Sequence, residues 1–145
     1  MKRKIIIGVV LLIVVAGSIA AWKYFEKTDD LAGKEPDVKV SAQQLIAAYR
    51  TDTASANKTY TNKIVQVTGM ISKVDSSAVE LGEEGSMSTV AIGLDNRHLA
   101  DLKELKIGST VTFQGECTGA SSADDLLADL GVTVQIKAAG VINKK

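Results

Sequence analysis

Asp124, Asp125 and Asp129 gather within six residues of this 145-residue chain, with Asp125 and Asp129 four residues apart as on one face of a helix. Carboxylates at that spacing could hold a divalent cation or share acid and base work in a hydrolysis. A hard cation needs about six oxygen ligands, and no glycine-punctuated calcium loop supplies them. The flanking Leu126, Leu127 and Leu130 fit the buried side of a solvated helix better. Glu83 and Glu84, in the loop Gly82-Glu-Glu-Gly-Ser86, have the same character of solvated charge. An envelope hydrolase would have to use carboxylates such as Glu84 or Asp125, and no acid-base pair is evident. His98 is the one histidine; it follows Arg97, with no second histidine or nearby cysteine to complete a triad or a zinc set, and is expected at the surface. Cys117, the single cysteine, cannot form an internal disulfide. It is expected as a small buried residue of a strand, with an intermolecular bridge as the alternative. Asn57-Lys-Thr59 is a formal glycosylation sequon, and no phosphate loop, dinucleotide fingerprint or nucleophile elbow occurs. The expectation is a non-enzymatic protein with no catalytic residue, no cofactor and no metal.

The elements that carry these residues follow from hydrophobic period. Ser41-Ala-Gln-Gln44 is a capping box ahead of Leu45, Ile46 and Tyr49, which predicts a helix, and a further helical turn is expected over 54–60. From Ile64 the period becomes two, with Val65, Val67, Gly69 and Ile71 on one side, predicting a first strand over 64–74 with a bulge or sharp coil at Gly69. Residues 78–81 and 87–94 are expected to pair as a hairpin. Leu99, Leu102 and Leu105 have helical spacing, with Asp95 or Asn96 as the cap. Alternation returns over 110–118 and again from Val132 through Val141-Ile142. A helix, three strands, a helix and two strands make the order of an OB-fold: an all-β, five-stranded Greek-key barrel with a helix between its third and fourth strands.

Ahead of this domain, Ile5 to Trp22 is an uncharged run that follows Lys2-Arg3-Lys4. Eighteen residues at about 1.5 Å each cover roughly 27 Å, enough for a single transmembrane helix. The positive-inside rule places residues 1–4 in the cytoplasm and the domain outside it, so the expected location is the cytoplasmic membrane, single-pass. Trp22, Tyr24 and Phe25 suit an aromatic belt at the outer interface. A cleaved signal peptide is the alternative, because Ser18-Ile-Ala20 is a small-x-small site. Residues 23–40, polar and broken by Gly33 and Pro36, are expected as a tether, and 41–145 as one small domain.

Charge narrows the partners. With Lys2, Arg3 and Lys4 set aside, 14 basic residues face 17 acidic ones, the wrong sign for a phosphate-backbone binder. The second and third strands, 78–94, carry no aromatic residue and no Lys or Arg, although these strands usually bear the ligand face of an OB-fold. Lys73, Arg97, Lys103 and Lys106 lie around them as solvated charges.

The segments Ala56-Asn-Lys58 with Tyr60 and Lys63 before Val65-Gln-Val-Thr-Gly69, then Leu105-Lys-Ile-Gly108 before Val111-Thr-Phe-Gln-Gly-Glu-Cys-Thr-Gly119, resemble the tRNA-anticodon-like OB family. The resemblance covers about 40–142. That family is chiefly bacterial and often carries one N-terminal hydrophobic segment; the likeness implies the barrel and assigns no activity. Its pattern often has further cysteines in the third and last strands, where Gly93 and Ala138-Ala-Gly140 stand here, so a disulfide of that kind is not available. The segment 120–131 is longer than the usual family connection. The functional expectation is a membrane-anchored OB module binding a protein, peptide or envelope glycan, with single-stranded nucleic acid as the alternative. Its possible ligand face is Glu80, Glu83, Glu84, Ser88, Thr89, Arg97, Asp124 and Asp125.

Overall fold

The computed structural model describes residues 2–25, 29–121 and 131–144; the side chains of 2–5, 10, 20, 22–25 and 144 lie outside the description. Asp124, Asp125 and Asp129, and the leucines beside them, are therefore outside the described residues.

Helix α1 runs over Lys2–Phe25. Its described large apolar side chains are 50–71% exposed, from Val15 to Leu12. Among the described residues no helix is long and apolar enough to cross a membrane. The expected span at 5–22 lies within this helix, and that it crosses a membrane is not shown.

The barrel is built from β2 (Ile64–Val74), β3 (Ala78–Leu81), β4 (Thr89–Leu94), β5 (Thr110–Ser121) and β6 (Thr133–Lys144), and a short strand, β1 (Val38–Ser41), lies parallel to β2. Neighbours run β1-β2-β3-β4-β6-β5, and β2 also pairs with β5, which closes the barrel. Closure works because β2 is long enough to serve two partners, pairing with β5 from Ile64 to Met70 and with β3 from Ile71 to Val74. Period-two burial follows: Val65, Val67, Ile71, Val79, Leu81, Val90, Ile92, Phe113, Cys117, Val134 and Ile136 point inward at 2% exposure or less. Each such side chain contributes about 1.5–3 kcal/mol through burial.

Helix α2 (Ala42–Thr51) begins at the expected capping box, in which Ser41 Oγ accepts from Gln44 N and Gln44 Oε1 accepts from Ser41 N, both at 3.1 Å. Its apolar face, Ala42, Leu45 and Tyr49, enters the core. Asp52 ends α2 and caps α3 (Thr53–Tyr60) by accepting from Ser55 N at 3.0 Å. Gly69 is where α2 comes closest: a Cβ there would lie 2.7 Å from the Ala42 Cβ. The expected bulge sits instead between Ile71 and Lys73, so Gly69 is small to admit the helix rather than to kink the strand.

Three further expectations change. The segment Asn96–Glu104 is a 3-10 helix, capped by Asp95 and packing Leu99, Leu102 and Leu105 on the core. The third barrel strand starts at Thr89 rather than at residue 87. The supposed tether is largely docked: Leu31–Gly33 forms a 3-10 turn against β5 and β6, and residues 38–41 join the sheet. Gln114, 2% exposed, donates from Nε2 to the carbonyls of Leu31 and Lys34, each at 2.6 Å. Polar side chains of the barrel wall thus recruit a segment whose composition alone suggests a linker.

Candidate functional site

The surface of β3 and β4 that faces away from the core displays Ala78, Glu80, Ala91 and Gly93, paired across the ladder as Ala78 with Gly93 and Glu80 with Ala91. All four are half-buried, and a Cβ on Gly93 would meet only the Ile136 carbonyl, at 3.6 Å. The face is consequently shallow. Beyond the bulge in β2, Lys73 comes into register with Glu80, and its Nζ lies 3.6 Å from Glu80 Oε1. Among the described residues Lys73 and Glu80 thus stand as an exposed ion pair across this ladder, their side chains 61% and 37% exposed. Ser72 donates to the Glu80 carbonyl at 3.1 Å, which pins the β2 edge of the face.

At the rim, Glu83 Oε1 accepts from Gln43 Nε2 at 2.9 Å, bridging the β3–β4 loop to the start of α2. Beneath this bridge lies a depression of about 230 Å³ lined by Ser41, Thr68, Met70, Gly82 and Thr110. Glu84 stays exposed. Ser88 and Thr89 leave the candidate set: they are 8% and 9% exposed. Ser88 Oγ accepts from Val132 N at 3.1 Å, and Ser86 Oγ donates to the Ser88 carbonyl, so these polar groups hold the loop to β6 instead of facing a ligand.

Arg97 stands apart from this face. Its Nε and Nη2 donate to the two Asp95 oxygens at 2.8 and 2.7 Å, a bidentate fork that holds the Asp95 carboxyl far below the usual carboxylate range. His98, expected at the surface, has a side chain only 20% exposed. Its Nε2 lies 3.0 and 3.1 Å from the two Asp30 oxygens, and Nδ1 lies 3.5 Å from Asp101 Oδ2. The His98 hydrogen bond, with the Ala32 N–H adding to it, lowers the Asp30 pKa against the opposing effect of burial. The reason His98 can sink is Gly140: a Cβ there would lie 2.5 Å from the Ala32 Cβ and 2.9 Å from the His98 ring. Sequence reasoning missed Asp30, Gln114 and Gly140. The available signals were an Asp cap ahead of Leu31-Ala-Gly33 and a glycine inside a strand pattern.

Two other places could bind. A groove of about 520 Å³ between α2 and α3 is lined by Ala47, Ala48, Thr51, Ser55 and Thr59, with Asp52, Gln44 and Tyr60 among its walls. Cys117 is fully buried; Tyr49 Oη lies 3.6 Å from its Sγ and 3.4 Å from Thr61 Oγ1. Burial pushes the Tyr49 hydroxyl up to about 12, against the lowering effect of its Thr61 hydrogen bond and with the Cys117 contact adding to the rise. Among the described residues no group of three or more His, Cys, Asp or Glu could hold a metal ion.

The tRNA_anti-like family matches residues 1–129, which include every described element from α1 through β5. No curated protein matches the chain in sequence. A lipoprotein from Klebsiella pneumoniae subsp. pneumoniae MGH 78578, named as a candidate nucleic acid-binding protein, superposes with a TM-score of 0.55 at 16% identity, over 72% of this chain and 92% of that one. It shows the same fold. A protein from Leishmania major Friedlin named as a candidate aspartyl-tRNA synthetase gives 0.46 at 8% identity, over 90% of this chain and 26% of that one. The asparaginyl-tRNA synthetase of Entamoeba histolytica gives 0.40 at 15% identity, over 77% and 25%.

Proposed function

This chain belongs to the tRNA_anti-like family, and from that premise we propose that it is a non-enzymatic, membrane-anchored OB-fold module that binds a protein, peptide or glycan outside the cytoplasm. The observation that carries the ligand class is the β3–β4 face. It has no stacking aromatic, and Lys73, its cation, is engaged by Glu80. Single-stranded nucleic-acid binders need both a stacking platform and a free cationic track. The rim at Glu83 and Gln43, with exposed Glu84 beside it, adds negative charge where a phosphate backbone would have to pass.

Supporting the anchor is the α1 helix itself, 24 residues long, with exposed apolar side chains from Ile6 to Ile19 and Lys2, Arg3 and Lys4 at its start. Retention of that helix places the barrel on the far side of the membrane from the basic tip.

A second reading, binding of single-stranded nucleic acid, has one observation in its favour: the barrel shared with the Klebsiella protein named for that role. Titration of the purified protein with labelled 20-nucleotide RNA and DNA at 50 and 200 mM salt separates the two. The proposal expects no saturable binding in the micromolar range at either salt. Tight binding that weakens steeply with salt would replace it with the second reading.

A further inference from the structure

The depression beneath the Gln43–Glu83 bridge is assembled from places that the chain keeps apart: the start of α2, the middle of β2, the loop after β3 and the first residue of β5. Its depth comes from two glycines. A Cβ on Gly69 would lie 2.7 Å from the Ala42 Cβ, and one on Gly82 would lie 3.3 Å from the Ser88 carbonyl oxygen. The volume, about 230 Å³, falls below the roughly 300–1,000 Å³ of pockets that enclose whole small molecules. It leaves room for one long side chain.

Charge selects which side chain. Among the described lining residues Glu83 alone is charged. Gln43 Nε2 holds its Oε1 at 2.9 Å, so a neutral amide fixes the carboxylate, and no cation among the described residues pairs with it. The N-terminus of α2 at the Ala42 wall brings about half a positive charge, which the full charge of the carboxylate outweighs. The depression is thus net negative. Opposite the carboxylate its wall is apolar and adaptable, because Met70 is 40% exposed and a thioether side chain adjusts to what it meets. Thr68 adds a hydroxyl oxygen fixed by a 2.9 Å hydrogen bond to Thr112. An apolar stem with a cationic tip complements this arrangement, and that is the build of lysine. Arginine fits less well. Its guanidinium pairs best with both oxygens of a carboxylate, and Gln43 already occupies one.

We infer that this depression takes a lysine side chain of the partner, with the ammonium on Glu83 and the stem along Met70 over the Gly69 floor. The inference rests on the binding-module reading and deepens it, since it narrows the ligand to a protein or peptide with an exposed lysine.

The test uses full-length protein in non-ionic detergent micelles, with its methionine methyl groups labelled with carbon-13, titrated with an end-blocked glycyl-lysyl-glycine peptide. The Met70 methyl resonance is expected to shift saturably in the millimolar range, whereas Met87, on the neighbouring loop but outside the lining, should stay in place. Acetylation of the peptide's lysine, or Glu83→Gln in the protein, should each weaken binding about threefold or more. Glu84→Gln should weaken it far less, because that carboxylate does not line the depression. The arginine peptide should bind more weakly than the lysine peptide. An unmoved Met87 resonance in Glu83→Gln reports that the loop keeps its fold. No saturable Met70 shift at tens of millimolar peptide, or undiminished binding in Glu83→Gln, overturns the lysine site. If oligonucleotides also fail to bind, the module reading survives that loss. Salt-sensitive oligonucleotide binding overturns the module reading and the inference with it.

Discussion

The α2 side and the docked-segment side of this barrel are both held by chain that precedes β2, yet by different physics. On the α2 side, Leu45 and Tyr49 are 0% and 1% exposed, and contact is mainly apolar. On the other side the fastening is polar: Gln114 to two carbonyls, and His98 to Asp30. Apolar burial is non-directional and insensitive to pH, whereas hydrogen bonds and ion pairs depend on alignment and protonation. One side should therefore fail only with the whole fold. The other can come loose while the barrel stays intact.

The sharpest way to break this contrast is Leu45→Ala. It should cost about 2–5 kcal/mol of global stability in denaturant unfolding, because it opens a cavity between helix and barrel. A smaller loss would mean that α2 is peripheral. Gln114→Leu comes next, at about 1–3 kcal/mol, since it leaves the Leu31 and Lys34 carbonyls without their donor. Its mark should be local: faster tryptic cleavage after Lys34 with the barrel core still protected in hydrogen exchange.

The Asp30–His98 contact tests the polar side through pH. Asp30 is depressed in the folded state, so its contribution is complete above the unfolded carboxylate value of about 4 and is lost as pH falls through the lower folded value. The stability gap between the native protein and Asp30→Asn should thus shrink as pH falls below about 4. A gap independent of pH would assign Asp30 a purely local role, as cap of the 31–33 turn. The smallest expected effect has the opposite sign. Ala138 sits at φ +50° where β6 slips in register against β4 and β5, a conformation that costs a non-glycine residue about 1 kcal/mol. Ala138→Gly should raise stability by a few tenths of a kcal/mol, the relief being partly offset by glycine's unfolded entropy.

Much of the barrel was legible in the residues. The first strand at 64–74 and the second at 78–81 agree with the structure to the residue, because alternation on a half-buried sheet is a local signal. The cap at Ser41 was equally local. The 3-10 form of 96–104 was not, since three leucines at i, i+3 and i+6 fit either helix. The candidate face was legible only in part. Glu80 and Glu83 do lie on the face and its rim, but Ser88 and Arg97 are occupied by loop and cap contacts that join residues distant in sequence or fixed by backbone geometry, and Thr89 is buried.

What the sequence determined by itself was whatever depends on neighbours along the chain: strand period, capping, the apolar N-terminal run, and the lack of aromatic and basic residues over 78–94. What only the tertiary structure decided depends on groups far apart in number. Gly140 makes room for His98 and Ala32; Gln114 captures the carbonyls of 31 and 34; and Lys73 meets Glu80 only because a bulge brings them into register. The physical reason is range. Periodicity is written in each strand, but a hydrogen bond across 83 residues exists only once the barrel has closed.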